Sequence, residues 1–230
     1  EALAKIKEVA ASIVEDAPPP NTDTPEFRNW FGDSKVVDAG GKPLVVYHGT
    51  RHDFDEFMRE GRKGRDRLHY FTDDPAVASE YAGDVRYGTP NVMPVYVSLQ
   101  TPFMFDASGE QWGSLPINMF PAEIAKQFDE RNILRGRSGQ VPRVGFTEVI
   151  RGALAAGYDG VIAERILDGG GAYGEQNPSK VVVASNPTQI KSATGNRGTF
   201  DPNDANILNQ KDPLDDVFRK YLLIDDSVKQ

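Results

Sequence analysis

Apolar and polar positions along this chain change period from stretch to stretch, and the changes mark its elements. Residues 1–15 place Leu3, Ile6, Ala10, Ile13 and Val14 on one face of a helical period, with Lys5, Lys7 and Glu8 opposite, and Pro18-Pro19-Pro20 ends that period in a linker. Phe27, Trp30 and Phe31 then cluster ahead of two extended segments, 35–38 and 43–47, joined by Asp38-Ala39-Gly40-Gly41; this predicts a hairpin with the aromatics as its packing partner. The second segment is a β-branched run that delivers His48-Gly49-Thr50 to its end, as a buried strand presents polar groups at the mouth of a cleft.

Downstream, Asp74 caps a helix that opens on Pro75 and carries Ala76, Val77, Ala78 and Tyr81. Residues 92–99 read as a strand in which Pro94 marks an edge or a bulge. Helical character follows over 121–134, with Ile124, Phe128 and Leu134 on one side, and over 147–156, closed by Gly157. Strands are predicted at 161–163 and 180–184, separated by a glycine-rich loop over 169–178. From Thr194 onward turn residues dominate up to a last helix at 215–223, so this tail is expected to be peripheral. The domain expectation is therefore a helix and Pro-rich linker at 1–25, one globular domain at 26–207, and a tail with a short helix at 208–230.

Composition narrows the chemistry. With 230 residues the chain is long enough for a real core, and a net charge of −8 argues against bulk attraction to nucleic acid or to anionic membranes. The absence of cysteine removes disulfides, thiolate nucleophiles and cysteine-bound metals. His48, His52 and His69 lack ligand spacing with carboxylates, so no metal site is expected. No apolar run approaches the roughly twenty residues of a membrane-spanning helix. The start lacks an initiator Met and any signal-peptide pattern, which gives the expectation of a soluble fragment of a longer polypeptide. Two basic stretches stand out: Arg59, Arg62, Lys63, Arg65 and Arg67 around Gly61 and Gly64, suited to covering a diphosphate or to lying solvated, and Arg131, Arg135, Arg137 and Arg143, read as a solvated loop.

His48-Gly49-Thr50, then Tyr70-Phe71-Thr72-Asp73, then Tyr81 eleven residues beyond Tyr70 form a constellation that resembles the ADP-ribosyltransferase superfamily in its diphtheria-toxin and poly(ADP-ribose)-polymerase branch. The stretches Trp30–Asp38, Gly157–Ile162, Pro187–Ser192, Gly195-Asn196 and Gly198–Pro202 extend the similarity to the ADP-ribosyltransferase domains of phage polyvalent proteins and bacterial polymorphic toxins, over residues 26–207. The resemblance implies an α+β fold, with two short, roughly perpendicular β-sheets around an NAD cleft and helices on the flanks. It implies a glycosyl transfer in which NAD is the substrate and ADP-ribose passes to a macromolecular acceptor, a protein in preference to RNA. A toxin or effector role in the cytoplasm of a bacterial or host cell, with an immunity or chaperone partner, belongs to the same expectation, as does the absence of metal and membrane.

By the same resemblance, His48 hydrogen-bonds the adenosine ribose, Gly49 offers its backbone to the nicotinamide carboxamide, and Tyr70 and Tyr81 sandwich the nicotinamide ring beside Phe71. Thr50 and Ser79 are the polar partners, although the superfamily's usual helix serine falls at Ala78 here. The chain departs from the pattern at the catalytic glutamate, whose position, eight residues before Gln189, is Val181. The carboxylate is then expected from Glu175 in the glycine-rich loop or Glu164 at the end of the preceding strand, with Gln176 a neutral alternative; His48, Tyr70 and Glu175 make the expected catalytic set. A module that binds NAD or ADP-ribose without cleaving it, and a plain NAD glycohydrolase, remain open beside the transferase.

Overall fold

The two most continuous apolar runs, around Val161-Ile162-Ala163 and Val181-Val182-Val183-Ala184, are buried on both faces, and they form the interior of a sheet. The computed structural model describes residues 22–58, 68–83, 91–168, 178–196, 198 and 200–208. The expected N-terminal helix and linker, the basic loop 59–67, the loop residues Glu175 and Gln176, and the last helix lie outside the described residues.

Strands β1 (Val46–Thr50), β2 (His69–Thr72), β3 (Asn91–Val97), β4 (Phe103–Asp106), β7 (Gly160–Ile166), β8 (Ser179–Ala184) and β9 (Ile190–Ser192) hydrogen-bond into one sheet in the order β4-β7-β8-β2-β1-β3-β9. Every neighbouring pair is antiparallel except β4 with β7. A separate two-stranded piece joins β5 (Leu115–Pro116) to β6 (Arg143–Val144). Helices α1 (Pro25–Phe31), α2 (Pro75–Ala82), α3 (Ala122–Ala125) and α4 (Phe146–Ala155) complete a mixed α+β fold with one large sheet. In place of the expected two roughly perpendicular sheets around a cleft, seven strands among the described residues hydrogen-bond into a single sheet.

Alternation sorts the sheet's side chains onto two faces. Val161, Ala163, Val181 and Val183 meet Val149, Ile150 and Ala153 of α4, whereas Ile162, Val182 and Ala184 meet Phe71, Val95, Val97 and Ile207. A third cluster holds the predicted aromatics of α1 against Tyr96 and Phe200, with Phe27 and Phe200 edge to face at 4.9 Å.

Several sequence expectations hold and several shift. Asp74 caps α2 through its side chain, 2.8 Å from the Ala76 N–H, and Gly157 follows α4 at φ +95. The hairpin reduces to a Val37–Pro43 bridge, with the Asp38 carboxylate accepting from Gly40 and Lys42. Strand β1 starts at Val46 and contains His48-Gly49-Thr50, so the strand begins later than the expected segment 43–47 and includes that triplet. Pro94 lies in an interior strand opposite Tyr47. Its carbonyl accepts from Ala193 just past the end of β9, so its missing N–H falls on that same side, where the ladder has already stopped. The helix expected over 121–134 is only α3 and a 3₁₀ turn at Glu130–Asn132. Buried Glu148 takes the Asp129 N–H at 2.6 Å and the Asn132 amide at 2.6 Å, which draws the backbone out of a continuous helix.

The tail expected to be peripheral belongs to the core as far as residue 208. Lys191, fully buried, donates to the carbonyls of Asp204 (2.6 Å) and Asn206 (3.1 Å), and burial pushes its ammonium below the ordinary lysine range. Ser192 donates to the Ile207 carbonyl at 2.9 Å, and Ile207 donates to Asp55 at 2.7 Å, so the segment ties β9 to the loop after β1. Phe200→Ala should therefore cost about 3–5 kcal/mol through the cavity it leaves among the α1 aromatics, read as a melting temperature lower by about 10 °C; an unchanged melt would mean that this segment is not part of the folded unit.

Candidate active site

The cleft begins where β1 leaves β2. Pairing between them is confined to Tyr47 with Thr72, while β1 stays paired to β3 over its whole length and β2 to β8 over its whole length. Beyond that single pair, His48 bridges the gap with its side chain. Its Nδ1 lies 2.9 Å from the Tyr70 carbonyl. A carbonyl only accepts, so Nδ1 carries the proton, and in the neutral ring Nε2 is the acceptor. Phe57 and Phe71 hold the imidazole from the sides, with ring centroids 5.1 and 5.7 Å away.

Gly49 is required by packing. A Cβ built there would sit 1.7 Å from the Ala78 carbonyl oxygen and 3.0 Å from the Ala82 nitrogen, so the backbone of α2 lies directly on β1 at this point. That close approach brings Tyr81, on the next turn of α2, to the rim, where it is 43% exposed.

Between these elements lies a cavity of about 150 Å³ lined by Tyr47, His48, Gly49, Tyr70, Phe71, Thr72, Ala78, Tyr81, Trp112, Asp168 and Val181. A compartment of that size takes one six-membered ring in a protein interior. Its walls are mainly aromatic and aliphatic, with a few polar groups converging, which is the usual composition of a small-molecule site. Tyr70 packs against Trp112 with ring centroids 5.4 Å apart, and burial pushes its phenol above the ordinary tyrosine value, against smaller downward influences of Thr147 and Arg151. Tyr81 donates to Oδ1 of Asp168. Burial and the adjoining carboxylate push the Tyr81 phenol up, so it remains a donor, and burial pushes the Asp168 carboxyl up against the opposing pull of that hydrogen bond.

The structure gathers His48, Gly49, Tyr70, Phe71 and Tyr81, five of the residues that the resemblance implied, around one cavity and leaves Thr50, Ser79 and Glu164 outside its wall. Thr50 is not among the lining residues, and its hydroxyl accepts the His52 N–H at 3.2 Å. Ser79 is half-buried outside the wall, where Ala78 stands instead. Glu164 is turned away: its carboxylate pairs with Lys180 at 3.0 Å, on the face of the sheet opposite Ala163. Val181 lines the cavity, so the position that resemblance reserves for a glutamate faces the cleft with an apolar side chain.

Trp112 and Asp168 were not legible as site residues. Trp112 comes from the irregular segment before β5 and is fixed by its own N–H to the Leu167 carbonyl at 3.0 Å. Asp168 arrives through a bulge. The β7–β8 register shifts between Ala163 and Ile166, Arg165 sits at φ +50, and the alternation resumes one residue late, so Ile166 points into the core with Ala163 and Asp168 follows on that side. Asp106 clamps the bulge, accepting from Arg165 Nε at 3.0 Å.

A family model described as ADP-Ribosyltransferase in polyvalent proteins matches residues 38–200, and the chain belongs to that family. Searches among curated proteins and among solved structures found no match. The matched span runs from the Val37–Pro43 bridge to Phe200 and so contains every strand and every lining residue of the cavity.

Gly49→Ala should cost at least about 3 kcal/mol, because α2 must lift off β1 to admit the methyl group, whereas Gly113→Ala, with open space around the new atom, should stay within about 0.5 kcal/mol. Thermal melts of the two variants check this; equal melts would mean that α2 does not rest on Gly49.

Proposed function

We propose that the chain is an NAD-dependent mono-ADP-ribosyltransferase, a toxin- or effector-like module that cleaves the nicotinamide–ribose bond and passes ADP-ribose to a protein acceptor. The observation that carries this reading is the ring-sized compartment in which Tyr70, Tyr81, His48 and the bare backbone of Gly49 converge, in a chain of this family. Breaking the bond sends its electron pair to nicotinamide and leaves positive charge on the ribose. The site therefore has to hold the strained dinucleotide and favour that charge. In this reading the nicotinamide ring enters between Tyr70 and Tyr81, where an offset stack adds about 1 kcal/mol beyond area burial. Nε2 of neutral His48 accepts from the adenosine ribose, and Gly49 meets the carboxamide through its backbone. The narrow β1–β2 junction acts as the seam between two half-sheets, β4-β7-β8-β2 and β1-β3-β9.

One observation favours a second reading: Val181 at the usual glutamate position suits a module that binds NAD or ADP-ribose without cutting it. The two part on a single assay. Incubation with labelled NAD should release nicotinamide and label an acceptor, and His48→Ala or Tyr81→Ala should lower release at least 100-fold with the melting curve preserved. NAD binding without any release would favour the binding module, release with water as sole acceptor a glycohydrolase, and retained release in both variants would place the pocket elsewhere.

A further inference from the structure

We propose that Asp168 is the carboxylate that faces the nicotinamide ribose, carried into the cleft by the bulge of β7 in place of the side chain that Val181 cannot supply; this rests on the reading of the cleft as an NAD site. Among the described residues, Asp168 is the one carboxylate in the cavity wall. Two other acidic groups described in this region are engaged elsewhere. Glu164 pairs with Lys180, and the Asp73 carboxylate accepts the Lys180 backbone N–H at 2.8 Å.

The geometry of Asp168 suits the task. Oδ1 takes the Tyr81 phenol, while Oδ2 has no hydrogen-bond partner among the described residues and is the oxygen that remains to meet a ribose hydroxyl. Tyr81 orients the carboxylate and would also border the nicotinamide ring, so one hydrogen bond sets the spacing between ring and ribose. Behind it, the Arg165–Asp106 clamp holds the bulged residue, and the backbone N–H of Trp112 to the Leu167 carbonyl fixes the chain just after it. A non-glycine residue at positive φ is a costly conformation, and such conformations persist where the surroundings impose them. Here its effect is to turn Asp168 inward.

The step balances without a co-reactant beyond the acceptor. The C1′–N1 bond of NAD breaks and its electron pair neutralises the pyridinium; the acceptor's oxygen or nitrogen closes the new bond to C1′ and releases its proton. In its ionised form the Asp168 carboxylate offsets the charge that builds on the sugar.

Among the described residues, the titratable groups lining the cleft beside Asp168 are Tyr47 and His48 of β1, Tyr70 of β2 and Tyr81 of α2, with Arg151 of α4 acting on Tyr70 through space. Of these Tyr81 touches Asp168, and Glu80 acts on Tyr81 through space. The test measures NAD affinity by calorimetry and nicotinamide release against pH for the full chain. Asp168→Asn should bind NAD within a few-fold of the unsubstituted chain, melt normally and lose about 10²–10³-fold in kcat, and Asp168→Glu should restore part of it. In Tyr81→Phe the acid limb of kcat should move to higher pH, because the phenol that holds the carboxyl down is gone. Added to Asp168→Asn, the same change should leave whatever limb remains where it was. Asp168→Asn keeping kcat within about threefold, or Glu175→Gln alone abolishing release, would overturn the assignment and leave the NAD site standing. An unsubstituted chain that binds NAD without releasing nicotinamide would overturn the assignment too, and one that fails to bind NAD would overturn the site reading with it.

Discussion

The site depends on how β1 parts from β2. Both are interior strands, each fully paired on its outer side, and between them a single residue pair, Tyr47 with Thr72, keeps the sheet continuous. A buried strand that leaves its neighbour has to satisfy the polar groups it uncovers. His48 does this for the Tyr70 carbonyl with its ring N–H, and so the residue that closes the gap in hydrogen bonding also fixes its own tautomer. Opening the cleft and orienting its histidine are consequences of one interaction.

The walls follow from what can pack into that opening. Gly49 admits the backbone of α2, and α2 in turn supplies Ala78 and Tyr81. The opposite wall comes from Tyr70 on Trp112, and Trp112 on Phe146 of α4, so a continuous run of rings connects the cavity to the core on that face. Polar groups are few. In such an interior a carboxylate acts through a lower effective dielectric than in water, so its placement counts for more than its number of neighbours. The C-terminal segment through Ile207 completes the support, since its bond to Asp55 holds the loop that carries Phe57 onto the histidine.

Much of this was legible in the sequence for identifiable reasons. The β-branched runs named the central strands, Asp74-Pro75 named the start of a helix, and the resemblance carried by His48, Gly49, Tyr70 and Tyr81 named residues that share one cavity wall. What escaped was set by tertiary context. Alternation read forward from Val161 predicts the wrong face for Asp168, because nothing local announces the extra residue at Arg165. Trp112 is a lone aromatic in an irregular segment, positioned by a backbone bond to a residue more than fifty positions away. The helix over 121–134 had the right period, and the buried carboxylate of Glu148 overrode it. Pro94 reads as an edge because proline cannot donate; its strand is interior, and only the local stretch of ladder is missing.

The central claim is that the gap between β1 and β2 is a nicotinamide compartment bordered by a carboxylate from beyond the β7 bulge. A crystal structure of the chain soaked with NAD tests it most directly. The account predicts the nicotinamide ring between Tyr70 and Tyr81, its carboxamide against the Gly49 backbone, and its ribose within hydrogen-bonding distance of Asp168 Oδ2. Nicotinamide density outside this compartment, or a ribose turned away from Asp168 toward another carboxylate, would contradict it.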